Sequence, residues 1–160
     1  MGRQDLKVLI IDADLRLPSQ HYILGADNSV GLTDVLEERV SLEAVIQNTR
    51  LVNVDIIPAG QSPHNPSELL SKPALAKVFE TVKKQYDYIL VDAPPVIVAD
   101  TTIVAQEIDG IIMIAEENKT PKQKFHKALT ILKSTHTPIL GIILNKTKQD
   151  RSNKYYYYNK

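Results

Sequence analysis

The 160-residue sequence contains no cysteine, which excludes disulfides and thiolate metal sites and fits a reducing compartment. It has no excess charge of either sign, because nineteen Lys and Arg balance nineteen Asp and Glu. There is therefore no long-range field of the kind that gathers nucleic acid or anionic lipid, and anion recognition has to be local. The four histidines are scattered, with no pair at helical spacing, so a structural metal is not expected. Long apolar runs are absent too. Ile111–Ala115 and Ile139–Leu144 fall far short of the roughly 20 residues that cross a bilayer. Met1–Lys7 is polar and passes straight into a strand-like segment, unlike a charged-then-apolar leader. A cytoplasmic protein is expected, with any membrane contact indirect. Finally, the six glycines are isolated. None lies in a Gly-x-x-x-x-Gly-Lys-Ser/Thr loop, whose amides and lysine cradle nucleotide phosphates.

What is present is enough apolar residue, 43% of the chain, to bury one core of ordinary domain size. Five β-branched runs read as strands: Lys7–Asp12, Val52–Pro58, Tyr88–Asp92, Gly110–Ala115 and Ile139–Leu144. They are almost continuously apolar, as parallel strands covered on both faces are. Helical patterns separate them. Ser71 reads as an N-cap ahead of Pro73, with Leu75, Val78, Phe79 and Val82 on one buried face. Thr120–Gln123 reads as a capping box, with Ala128, Leu129 and Leu132 continuing a buried stripe. Ala13–Val30 is expected to be loop with some helix, and Gly60–Pro66 a loop leading into a short helix over Ser67–Leu70. Alternating strands and helices predict a doubly wound, mostly parallel α/β sheet over residues 1–145. Residues 146–160 read as a flexible polar tail, with Tyr155, Tyr156, Tyr157 and Tyr158 in a row. Four consecutive aromatics cannot all face one core, so exposure is expected.

Ligands of open α/β sheets bind beyond the carboxyl ends of the strands. Two strands end there in aspartate: the first in Asp12, followed by Asp14 and Arg16, and the third in Asp92, followed by Ala93, Pro94 and Pro95. Neighbouring parallel strands would bring Asp12, Asp14 and Asp92 to one edge, where hard oxygen ligands suit Mg²⁺. The alternative for any one of them is a turn-capping aspartate bonded to nearby backbone amides.

Val8–Arg16 resembles the Walker A′ motif of the bacterial tyrosine kinases, and Tyr88–Pro95 is similar to their Walker B motif. Gly60–Leu70 resembles the Gly-x-x-Pro-x-Asn-Pro-x-Glu-Leu-Leu signature of the same family, and Ser29–Leu36 and Gly141–Asn145 match it in order and spacing. The likeness covers almost the whole chain, and the proline-rich loop favours this family over the partitioning and division-site ATPases. It implies a P-loop NTPase-like fold and Mg²⁺ and ATP as cofactors. Asp12 and Asp92 would hold the metal, and Asp12, supported by Asp14, would act as base toward a tyrosine hydroxyl. Arg16 would pair with a carboxylate or phosphate, and Asn145 would lie near the adenine. Tyr155–Tyr158 would be the phosphorylated tail, largely modified by a neighbouring subunit, adding roughly −6 to −8 charges when full.

The resemblance also implies control of capsular or exopolysaccharide synthesis. The partners would be a membrane polysaccharide co-polymerase adaptor, further copies of the chain or intact kinase copies, and a tyrosine phosphatase. It places the P-loop, a strand inside the sheet and the following helix ahead of Walker A′, so an N-terminally incomplete kinase domain is expected, with a gap in its core and weakened self-assembly. Losing two or three charge-assisted phosphate contacts, at about 1.5–3 kcal/mol each, would weaken ATP binding by orders of magnitude. The rival readings are a non-catalytic docking protein that offers its tail as substrate, and a partitioning-type ATPase.

Overall fold

The computed structural model of the chain describes residues 6–147. Its centre is β1 (Val8–Asp12), whose Leu9 and Ile11 are fully buried. β3 (Val54–Ile57) pairs parallel to β1 on one side, from Val8↔Val54 to Ile11↔Ile57, and β4 (Tyr88–Asp92) pairs parallel on the other, from Val8↔Tyr88 to Asp12↔Asp92. A two-residue strand, β2 (Gln47–Asn48), closes the β3 edge antiparallel. The apolar runs alone give no sign of β2, because it is polar and its pairing is fixed by the fold.

The remaining strands, β5 (Ile111–Glu116) and β6 (Ile139–Asn145), form a separate parallel pair. The α/β class and the mostly parallel pairing are as expected, but the expected coverage of the strands on both faces is corrected. Among the described residues β4 and β5 are not hydrogen-bonded to each other. Leu90, Ile112, Ile114 and Ile143 are at least half exposed. An apolar run records only that a strand is greasy, and coverage depends on what packs over it.

Among the described residues six helices accompany the strands: α1 (Gln20–Leu24), α2 (Leu32–Leu36), α3 (Pro66–Leu70), α4 (Pro73–Val82), α5 (Ala99–Ala105) and α6 (Lys122–Lys133). A 3₁₀ turn spans Leu42–Ala44. In α4 the residues Leu75, Val78, Phe79 and Val82 are all buried, as their spacing predicts. They pack with Leu9, Ile11, Leu15, Leu32, Leu36, Ile57, Leu70 and Val104 in the main core, each large side chain contributing about 1.5–3 kcal/mol of burial. Ala128 and Leu132 of α6 meet Met113 in a second, smaller cluster.

Two of the helix starts read from the sequence, those of α4 and α6, need correction. The N-cap of α4 is Lys72 rather than Ser71. The Ser71 hydroxyl instead donates to Ser67 O at 2.7 Å and closes the preceding helix. Pro121 holds the N-cap position of α6, with no side-chain cap, because the Thr120 hydroxyl is engaged by the Glu116 N–H at 3.0 Å. A serine or threonine near a helix start has several backbone partners in reach, and the tertiary turn selects among them.

Two glycines fix how the loops meet at the upper edge of the sheet. A Cβ on Gly31 would lie 2.2 Å from Pro58 O and 2.3 Å from Gly60 N, so the backbone before α2 can pass the end of β3 only without a side chain. Leu32 and Thr33 donate their N–H groups to Pro58 O and Ala59 O across that contact. Gly60 has φ +79°, a conformation that costs a residue with a Cβ. The Asn28 side chain bonds both the N–H and the C=O of Gly60.

Candidate active site at the carboxyl edge of β1 and β4

The parallel register sets Asp12 directly beside Asp92 at the ends of two hydrogen-bonded strands. The ladder runs one step further, with Ala13 N–H donating to Asp92 O at 2.8 Å. Asp12 is fully buried. Its Oδ2 accepts from the N–H groups of Ser19 and Gln20, each at 3.0 Å, and its Oδ1 from Asp14 N–H at 3.3 Å. Burial pushes the Asp12 carboxyl up, and the Gln20 and Ser19 amides pull it down. The neighbouring Asp92 charge pushes it up again, leaving it above the ordinary carboxylate value. Two carboxylates packed side by side are short of positive charge.

Gln20 joins them. Its backbone N–H donates to Asp12 and its side-chain Nε2 to Asp92 Oδ2 at 2.7 Å. Nothing in the sequence singles out Gln20, since a glutamine on a short helix after a loop carries no motif of its own.

Asp14 takes the turn-capping role: its Oδ1 accepts from the N–H groups of Arg16 and Leu17 at 3.2 and 3.0 Å. Among the described residues no group of three or more His, Asp or Glu forms a ready-made metal cage. The convergent unit is the pair Asp12 and Asp92. Arg16 pairs with a carboxylate, that of Asp100 on α5, with Nε to Oδ2 at 2.7 Å and Nη2 to Oδ1 at 3.2 Å. Asp100 is fully buried. Burial raises its carboxyl, but hydrogen bonds from Arg16 and Ser67 outweigh that and hold it below the ordinary value.

Ser67 belongs to α3, whose start explains the physics of the Asn-Pro-x-Glu signature. Asn65 is the N-cap and accepts from Glu68 N–H, Pro66 takes the first turn, and Asn65 Nδ2 returns a bond to Glu68 Oε2 at 2.8 Å. With the helix start fixed, Ser67 faces Asp100 and bonds it, and Arg16 Nη2 reaches the same hydroxyl at 3.1 Å.

Asn145 ends β6, opposite Glu116, and its Oδ1 accepts from Lys146 N–H at 2.8 Å. Its β5–β6 pair is a separate sheet from the one carrying Asp12 and Asp92. Tyr155, Tyr156, Tyr157 and Tyr158 lie outside the described residues. No helix among the described residues is long and apolar enough to cross a membrane.

Residues 1–139 match the AAA domain family. The chain is 35% identical over 153 residues to the putative tyrosine-protein kinase CapB of Staphylococcus aureus, covering 95% of this chain and 67% of CapB. The kinase domain of the Escherichia coli tyrosine kinase ETK superposes with a TM-score of 0.87 at 32% identity, covering 97% of this chain and 61% of that one. The chain belongs to the bacterial tyrosine kinase family. It spans about two thirds of the length of CapB.

The wider fold is that of the P-loop α/β ATPases. The septum site-determining protein MinD of Pyrococcus horikoshii, solved with Mg-ADP, superposes with a TM-score of 0.73 at 29% identity, covering 89% of this chain and 59% of that one. The residues of this chain fit a magnesium nucleotide in part. Asp12 and Asp92 supply hard, anionic oxygens at adjacent strand ends. Mg²⁺ usually takes one or two protein carboxylates and completes its shell with water and phosphate, which a pair can serve and a six-oxygen protein cage need not. A glycine-rich phosphate cradle is not among the 160 residues.

Proposed function

We propose that this chain carries the metal and base half of an ATP-dependent protein-tyrosine kinase site, with Tyr155–Tyr158 among its acceptors, in the control of capsular or exopolysaccharide synthesis. The observation that supports this most is the register that sets Asp12 beside Asp92. Bound there, Mg²⁺ would neutralise charge on the transferred phosphoryl group. Asp12 is buried, next to a like charge and above the ordinary carboxylate value, the environment of a side chain made ready to hold either a cation or a proton. Asp92 would share the metal. Gln20, bonded to both, keeps the two oxygens in place. The adenine side, with Asn145, rests on the family resemblance. So do the partners: a membrane polysaccharide co-polymerase adaptor that recruits the chain to the inner face of the membrane, further copies of the kinase, and a tyrosine phosphatase that resets the tail.

The test is incubation of the purified chain with Mg-ATP, followed by intact mass. The reading expects phosphate increments of low stoichiometry that vanish in Asp12→Ala and Asp92→Ala. Phosphate acquired only when an intact kinase is added supports the second reading, a docking protein whose tail is a substrate. That reading is favoured by the absence of a glycine-rich loop from these residues. Nucleotide-dependent binding to DNA would point instead to a partitioning-type ATPase.

A further inference from the structure

The loop from Ala13 to Ser19 carries the amides that bond Asp12, and it hands over to Gln20, which bonds Asp92. The start of this loop is packed into the main core, where Ala13 and Leu15 are buried. Beyond Leu15 apolar packing gives out: Leu17 is 79% exposed, and the helix that follows exposes Tyr22 and Ile23. What holds the chain between Leu15 and Leu17 is polar and distant in sequence. Arg16 reaches Asp100, 84 residues away, through two bonds in fork geometry, and Ser67, 51 residues away, through a third. Asp100 itself has no exposure to water. The Arg16 side chain is 44% exposed while Asp100 is fully buried, so desolvation of the carboxylate and screening of the guanidinium leave the pair little net stability to add. What the fork adds is direction, because the guanidinium accepts only a narrow range of angles.

We infer that Arg16 is a positioning residue: clamped onto Asp100 of α5 and Ser67 of α3, it fixes the β1–α1 loop so that Gln20 bridges Asp12 and Asp92. Arg16 then acts through the loop and not by contact with a phosphate. Three elements that the chain order keeps far apart meet at one carboxylate, and displacement of α3 or α5 is transmitted to the two aspartates. The consequence for phosphoryl transfer rests on the kinase reading above; the clasp does not.

The test separates the two. Amide exchange is followed at Ser19 and Gln20, with Leu9–Ile11 as an internal reference, in wild type, Arg16→Ala, Arg16→Lys and the apolar double variant Arg16→Met/Asp100→Leu. The double variant leaves no buried charge unpaired, whereas Arg16→Ala strands the Asp100 carboxylate, so the double variant keeps the test independent of that cost. Exchange at Ser19 and Gln20 should rise about tenfold or more in Arg16→Ala and in the double variant, while Leu9–Ile11 stay protected. Arg16→Lys, which keeps the charge but not the fork, should fall between them and wild type. Mn²⁺, used as the probe for the aspartate pair, should bind the double variant several-fold more weakly than wild type. A folded double variant with wild-type protection at Ser19 and Gln20 overturns the clasp. If wild type binds no Mn²⁺, the metal reading of the site fails, and the exchange measurement still decides the role of Arg16.

Discussion

Asp12 has two separable jobs in this structure, and two substitutions tell them apart. As an acceptor it holds the β1–α1 loop through three N–H···O bonds, at about 1 kcal/mol net each. Asp12→Ala removes all three acceptors and should cost about 3 kcal/mol, a fall in Tm of about 6–12 °C for a domain of this size. Asp12→Asn can keep its oxygen where Oδ2 now serves Ser19 and Gln20. It gives up only the longest bond, to Asp14, and relieves the burial of a charge beside Asp92, so its net change should be about 0–1 kcal/mol.

The pH dependence provides a second signature. The folded Asp12 carboxyl lies above the ordinary value of 3.8, so the native state holds that proton more tightly than the unfolded chain does. Its contribution to stability is present at low pH and declines as pH rises from the ordinary value through the raised one. Asp12→Asn should lack that decline. Both variants should lose Mg²⁺-dependent phosphate transfer alike. Thermal melts followed by circular dichroism at a series of pH values from the ordinary carboxylate value upward trace that decline. Equal melting of the two variants, or an unchanged pH dependence in Asp12→Asn, would show that the hydrogen bonds and burial described here do not govern this residue.

Three further outcomes follow from the geometry. Gly31→Ala places a Cβ 2.2 Å from Pro58 O; the backbone has to part, and chemical denaturation should show a loss of about 2–4 kcal/mol. Tyr86 is partly buried and donates to Asp55 Oδ2 at 2.8 Å, and burial followed by that bond pushes its phenol up to about 12. Alkaline absorbance titration should lose a component at about 12 in Tyr86→Phe. Asp34 is pushed up by burial but held below the ordinary value of 3.8 by Arg39 and the Gly31 N–H. Its contribution should be intact above that value and lost as pH falls through the lowered one, so acid unfolding of Asp34→Asn should be less steep than that of wild type.

Apart from the polar β2, the strands were legible because each is a short β-branched run bounded by polar residues, and the two aspartates because each closes such a run. Their adjacency, Asp12↔Asp92, needed the pairing order, which an alternating pattern suggests without fixing. Helix starts were harder. Ser71 and Thr120 are good caps in isolation, and both are drawn to other backbone partners in the folded chain. Gln20, Ser67 and Asp100 had no local signal at all, because a residue becomes part of a site through a partner, and theirs lie 33 to 84 residues away.

The sequence by itself determined the α/β class, the buried face of α4, and the carboxylates that end β1 and β4, since these depend on local periodicity and on where polarity interrupts an apolar run. Only the tertiary structure decided that Asp14 caps a turn while Asp12 and Asp92 face one another, that Arg16 is held by a buried aspartate, and that β5 and β6 stand as a separate pair. These are outcomes of direction and distance between segments far apart in the chain, which no local preference encodes.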